Sequence, residues 1–434
     1  MWSDVIPAAN WALVWLLLTL PPFIFAQRLA AGPTSWLRTK FGRNAWLILP
    51  ALALIIRLVP AILLPVGAGY DIESFKLTGE ALLSGEDVYT SAAIGRHPYF
   101  PFQMYFIALS LHLSRSSGIP FVVLIKMLPI FADAAITALI WHSAVRKGWS
   151  QVTAWWLAML YAFNPISILV SAYHGQFDSV AVLLLFLAWY YWRFGQRLLL
   201  SSVALGMAVL NKTWPIVFLP IALIRMKRIR STALYVIVSV GIPLILTAAY
   251  VMVMGSDPEP MIRRALTHTG NSGWWGITSI LATSGQYLEP LAKAGDFYHD
   301  LRRWLLLIAG VLVLWRTRRQ SALDALVTII LAAFAVTAGI GIQWLLWVVP
   351  FAIIARDTTW LRRYSLAALF LLIPHLFGLH LVPWAITWFG QEDAVFMLRL
   401  VNIPVWIVVV LWLFDRWRKA GPNHPETSEA VTAG

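Results

Sequence analysis

Residues 44–66, NAWLILPALALIIRLVPAILLPV, run almost directly into Gly69-Tyr70-Asp71-Ile72-Glu73-Ser74-Phe75. The first stretch is apolar over the length of a bilayer-spanning helix, for which roughly 20 residues suffice. The second sets two carboxylates immediately after it, and carboxylates beside a bilayer are costly to bury, so they tend to mark a site. The same alternation extends outward in both directions. Of 434 residues, 60% are hydrophobic and 12% charged, and the mean hydropathy is +0.73, the composition of a polytopic membrane protein rather than of a soluble core. A formal net charge of +13 raises the idea of a nucleic-acid partner. The basic residues stand in small clusters at the ends of apolar runs, so the charge reads as topology and anionic-lipid contact, with no nucleic acid implied. There is no cysteine, which excludes disulfides and thiolate metal sites.

Arg28, Arg38, Lys40 and Arg43 lie between apolar runs at about 8–26 and 44–66, and the positive-inside rule assigns them to the cytoplasm. The run at 8–26 follows Asp4 without a basic n-region or cleavage site and reads as a retained helix. Residues 67–101 are then extracytoplasmic. In the C-terminal half, basic clusters at 225–230, 316–319, 356–363 and 416–419 alternate with apolar runs, leaving an outer loop at 255–300 and a polar tail read as disordered. The expected organisation is an N-terminal helix and cytoplasmic loop (1–43), a module at 44–230, a helical module at 231–419 and a cytoplasmic tail at 420–434. Between 102 and 223 two topologies satisfy the crossing parity. In one, five runs all cross, which leaves Arg146, Lys147, Arg193 and Arg197 outside and residues 174–178 inside. In the other, 102–113 only dips into the membrane and 198–223 is a re-entrant hairpin broken near Asn211-Lys212-Thr213-Trp214-Pro215. The second obeys the positive-inside rule and is preferred.

Several residues have types suited to chemistry. Asp71 heads a segment, Ser74 to Leu83, that looks helical and ends at Ser84-Gly85; it is either the N-cap of that helix or a carboxylate base. Tyr173-His174-Gly175-Gln176-Phe177-Asp178-Ser179 sits between two apolar runs, and is either a polar turn or a set of hydrogen-bond partners for a sugar or phosphate. Arg57 and Lys212 lie deep in apolar stretches, where a cation needs an anion: a carboxylate such as Asp133, or a lipid phosphate. The second outer loop adds Arg263, Arg264 and Trp274-Trp275-Gly276, whose indoles suit either sugar stacking or membrane anchoring. No Walker loop, His-Glu-x-x-His or Gly-x-Ser-x-Gly is present, so an ATPase, a metalloprotease and a serine hydrolase all lack support.

The order and spacing of four segments resemble the GT-C superfamily of integral-membrane glycosyltransferases, in its bacterial polyprenyl-phosphate-sugar-dependent, mannosyltransferase-like branch. Tyr70-Asp71 with Leu82-Leu83-Ser84-Gly85 through Tyr89 is similar to the family's first outer loop. Tyr99-Phe100-Pro101-Phe102 stands where a Tyr-Pro-Pro often occurs, one proline short. Asn164-Pro165 through Gly175-Gln176-Phe177-Asp178-Ser179, then Gly206 to Lys212 and Pro215, resembles the central block. Trp274-Trp275-Gly276-Ile277 and Gln343-Trp344-Leu345-Leu346-Trp347-Val348-Val349-Pro350 resemble the C-terminal markers.

The resemblance implies an all-α bundle of about 11–13 transmembrane or re-entrant helices, with surface helices on the first outer loop. It also implies inverting transfer of a hexose such as mannose from a polyprenyl-phosphate carrier to a lipid, glycan or protein acceptor on the extracytoplasmic face of the cell membrane. Asp71 matches the family's base. Glu73, His174, Gln176, Asp178 and Gln343 join the expected substrate-binding set, and Lys212, Arg57, Arg263 and Arg264 are the cations available to a leaving phosphate. Members differ in whether they use a divalent metal, and Asp71 with Glu73 leaves that open. The competing expectation is a lipid or solute transporter in which Arg57, Lys126, Asp133 and Lys212 line a path.

Overall fold

The structure is a computed structural model that describes residues 2–31, 44–195, 197–267, 271–376 and 391–420. Most of the basic cytoplasmic loop expected within 1–43, and the tail beyond 420, lie outside the described residues. Among the described residues, five helices are long and apolar enough to cross a membrane: Asn10–Ala30, Ala45–Leu63, Phe121–Arg146, Ile229–Met254 and Phe396–Lys419. A sixth span results if Gln151–Ala162 and Pro165–His174, bent by 43° at their junction, are taken as one. Leu198–Asn211, Trp214–Leu223, Ala322–Val336 and Ile342–Ile354 are apolar but shorter. The β structure among the described residues is one antiparallel pairing, Asn271 with Ile340 and Ser272 with Gly339. The chain is an all-α polytopic membrane protein.

The chain folds as two compact units, one built from residues between 36 and 268 apart from 163–166, the other from the remaining N-terminal and C-terminal parts. In the former, Ala45–Leu63 packs on Phe121–Arg146, which also receives Gln151–Ala162 and Asp178–Tyr190. Asp178–Tyr190 in turn packs on Leu198–Asn211, and that helix on Ile229–Met254. The last crossing depends on Gly206: a Cβ there would stand 3.1 Å from the Ser239 carbonyl and 3.0 Å from Ile242 Cβ. Small residues give such close backbone approach in apolar surroundings, where dispersion contacts hold helices together. Leu198–Asn211 ends where Lys212 turns extended, and a 3₁₀ turn at Trp214–Val217 follows, so the expected break at Asn211–Pro215 is present.

The other unit is held by buried polar anchors. The Trp275 indole donates to the Phe334 carbonyl at 2.6 Å, and the Gly276 N–H donates to Asn402 Oδ1 at 2.8 Å. Arg416 sits between Asp357, at 2.6 Å, and Asp324, at 3.2 Å. Trp275 is fully buried, which makes it a packing residue and removes it from sugar stacking.

Candidate active site

The turn after Ala45–Leu63 leads into the helix Gly69–Leu83, which starts earlier than the apolar periodicity suggests. Its N-cap position is Ala68, with no side-chain cap, so Asp71 lies inside the first turn and is not the cap. Asp71 stays partly exposed, with Oδ2 3.5 Å from Nε2 of His174. His174 closes a π-helical turn, Leu169–His174, where the chain reverses at Gly175 with φ +85°. The amides of Gly175 and Gln176 both donate to the Val170 carbonyl, at 3.1 and 3.2 Å. The positive φ favours glycine at 175, where a side chain would be strained even though a Cβ would lie at ordinary contact distance from Ile72 and Lys126. The Ala68 N–H donates to the His174 carbonyl at 3.1 Å, and Lys126 Nζ donates to the Val66 carbonyl. These bonds tie the start of the Asp71 helix to the turn that carries His174.

Beyond that turn stands a caged cation. Lys212 Nζ is 2.6 Å from Asp178 Oδ2, 4.8 Å from the Tyr99 ring centre and 4.7 Å from that of Phe177. Phe177 packs edge-on against Tyr99 at 5.1 Å and tilted against Phe75 at 5.7 Å, joining the Asp71 helix to the cage. Burial pushes the Tyr99 hydroxyl up from its ordinary value; Lys212 opposes this, and the charges of Asp178 and Asp71 add to it. Asp71, His174, Tyr99, Phe177, Asp178 and Lys212 thus form one contiguous group. Gln176 is buried beside it, and its Oε1 has no hydrogen-bond partner.

Several expected site residues take other roles. Arg57 is fully buried, and its five N–H donors have five acceptors: Nε to Asp133, Nη1 to the Ala53 and Ala162 carbonyls, Nη2 to the Tyr161 carbonyl and to Ser167. No donor is left for a phosphate. Asp133 also accepts from Tyr161 and Ser171, each at 2.6 Å, so its charge is matched. Lys212 finds its anion in a carboxylate, Asp178 rather than Asp133, and a carrier phosphate is not required to hold it. Glu73 is exposed, because two residues along a helix is a turn of about 200° and carries it to the face opposite Asp71. Asp178 opens its helix without capping it and spends its carboxylate on Lys212. Arg263 is exposed and paired with Glu259 at 3.2 Å. Arg264 donates to the Gly95 carbonyl at 2.8 Å. Gln343 belongs to the other unit, in the turn Ile342–Leu346.

The sequence reading passes over Arg96. Its guanidinium lies 4.4 Å over the Tyr70 ring and donates to Ser74 Oγ at 3.3 Å, next along the chain from the carbonyl that Arg264 holds. Neither Arg96 nor Arg264 has an ion-pair partner among the described residues. The signal for Arg96 is weak in sequence, being one cation in an outer loop without a periodic pattern. Among the described residues, no three His, Asp or Glu side chains converge as a metal site.

Asp71 and His174 stand side by side, the juxtaposition expected of the topology with a broken 198–223 segment.

The profile of glycosyltransferase family 87 matches residues 98–340, more than half of the chain. The protein is therefore a membrane glycosyltransferase, and it belongs to glycosyltransferase family 87. No curated protein sequence matches it.

Proposed function

We propose that the chain is a GT-C-type inverting glycosyltransferase that moves a hexose, mannose in the first instance, from a polyprenyl-phosphate carrier to an acceptor hydroxyl at the extracytoplasmic face of the cell membrane. The observation that carries the reading is Asp71, a partly exposed carboxylate held in the first turn of its helix and set against buried His174. The acceptor oxygen attacks the anomeric carbon while its proton passes to Asp71. The bond from that carbon to the phosphate oxygen breaks on the opposite face, and the electron pair leaves on the phosphate. His174 orients the carboxylate. Arg96 and Arg264 are the cations free to meet the phosphate, in place of Arg57 and Lys212, whose charges are matched inside the fold. The Lys212–Asp178 pair positions Tyr99 and Phe177 against the site.

The test uses purified protein, radiolabelled polyprenyl-phosphate-mannose and a membrane lipid extract. Wild type should place label in a new linkage, and Asp71→Asn should lower turnover by roughly 100-fold or more with insertion unchanged, because the amide accepts no proton. Arg96→Ala should raise the donor KM, whereas Arg263→Ala should match wild type. Turnover of the Asn variant at the wild-type rate removes Asp71 as the base, and label that moves without a new linkage removes transfer altogether.

A further inference from the structure

Gln103 and Asn211 stand outside every role described so far. Both are buried, at 1% and 0% exposure. Asn211 Nδ2 donates to Gln103 Oε1 at 3.1 Å, but the bond is not returned: Gln103 Nε2 and Asn211 Oδ1 have no partner among the described residues. Exchanging O and N on both amides reverses the bond and again leaves one donor and one acceptor. An unsatisfied buried polar group costs about 1–3 kcal/mol, so two in one pair is a large penalty for a helix staple that an apolar pair would provide without it. Asn211 directly precedes Lys212, and Gln103 opens the helix that follows the Tyr99 loop, so the pair joins the two segments that carry the caged cation and the Tyr99 ring over it. Gln176 Oε1, next to Phe177, is a third buried polar group without a partner among the described residues, and a second acceptor.

We infer that Gln103 and Asn211 together read one hydroxyl of the transferred hexose. A hydroxyl presents one donor and two acceptor lone pairs, the complement of an amide N–H and an amide oxygen. Sites built to hydrogen-bond a hydroxyl reject the analogue that lacks it far more strongly than apolar pockets discriminate shape, because their own groups are then stranded. The inference rests on the proposed transferase reading and adds to it the residues that choose the sugar.

The experiment compares kcat/KM for polyprenyl-phosphate-mannose and its 2-, 3-, 4- and 6-deoxy analogues in wild type, Gln103→Leu and Asn211→Leu. Wild type should reject one deoxy donor by on the order of 10⁴-fold. In both variants that discrimination should collapse to about 10-fold or less, while the other deoxy donors keep their standing relative to mannose. If all five donors fall in parallel, the pair is a staple around a bound water and the inference is overturned. Should a Leu variant fail to fold, Gln103→Met makes the same comparison at matched volume. Wild type that transfers mannose without singling out a deoxy donor also overturns the inference and leaves the transferase reading standing. Wild type that transfers nothing overturns both.

Discussion

Arg57 shows what a single buried charge demands. In an apolar interior an ion pair is tolerated only when every remaining donor and acceptor is matched, and removing one partner strands the other. Arg57→Met or Asp133→Asn should each lower stability by about 3–5 kcal/mol. The double substitution Arg57→Met with Asp133→Leu should recover much of the loss. Thermal unfolding in detergent reads both, and an unshifted midpoint in the single variants would show the network to be dispensable. The need for these pairs is legible in sequence, since a cation amid apolar residues requires an anion. Their identity is not. Asp133 lies 76 residues from Arg57 and Asp178 lies 34 from Lys212, so only the packing of four helices decides that Asp133 serves Arg57. Gln103 and Asn211 are harder still, because a buried amide carries no charge to draw notice.

At the scale of an element, the helix Gly69–Leu83 and the loop after it carry most of the expected site. Apolar periodicity locates the helix from Ser74 onward and its stop at Gly85, which takes φ +73°. The start escapes it, because Gly69 and Tyr70 have no pattern to mark them, and that start decides that Asp71 faces His174 while Glu73 faces away. In the loop, His97 is buried between Tyr89 and Tyr99, with ring centres 6.0 and 5.5 Å away. Burial lowers its pKa from 6.5 to about 4, partly offset by a bond to the Phe100 backbone. The folded state therefore stays neutral where the unfolded chain takes up a proton. Stability is complete above about pH 6.5 and falls as pH drops toward 4, by up to about 3 kcal/mol. His97→Leu should shrink the difference in melting temperature between pH 5 and pH 7.5. An undiminished difference would assign the acid sensitivity to other groups.

For the whole molecule, the spans and their basic flanks are plain from composition, but the middle of the chain admits two topologies, of which the Asp71–His174 contact favours the one with a broken 198–223 segment. The cysteine-free sequence makes the consequence measurable. Ser116 and Ser150 are both exposed, one in the last turn of the helix that precedes Phe121–Arg146 and the other in the turn after it. With Ser116→Cys and Ser150→Cys, a membrane-impermeant maleimide applied to intact cells should label the first and spare the second. Labelling of Ser150→Cys would put Arg146 and Lys147 outside and reverse the assignment. The Arg57–Asp133 pair also has a history in time. Synthesis runs from the N-terminus, so the Ala45–Leu63 span must enter the bilayer with a bare guanidinium one turn from its centre, an insertion penalty of up to about 2.5–3.5 kcal/mol. That penalty lasts until the Phe121–Arg146 span emerges from the ribosome and delivers the carboxylate. The charge that locks the finished bundle is thus, during birth, a reason for the Ala45–Leu63 span to wait at the translocon for its partner.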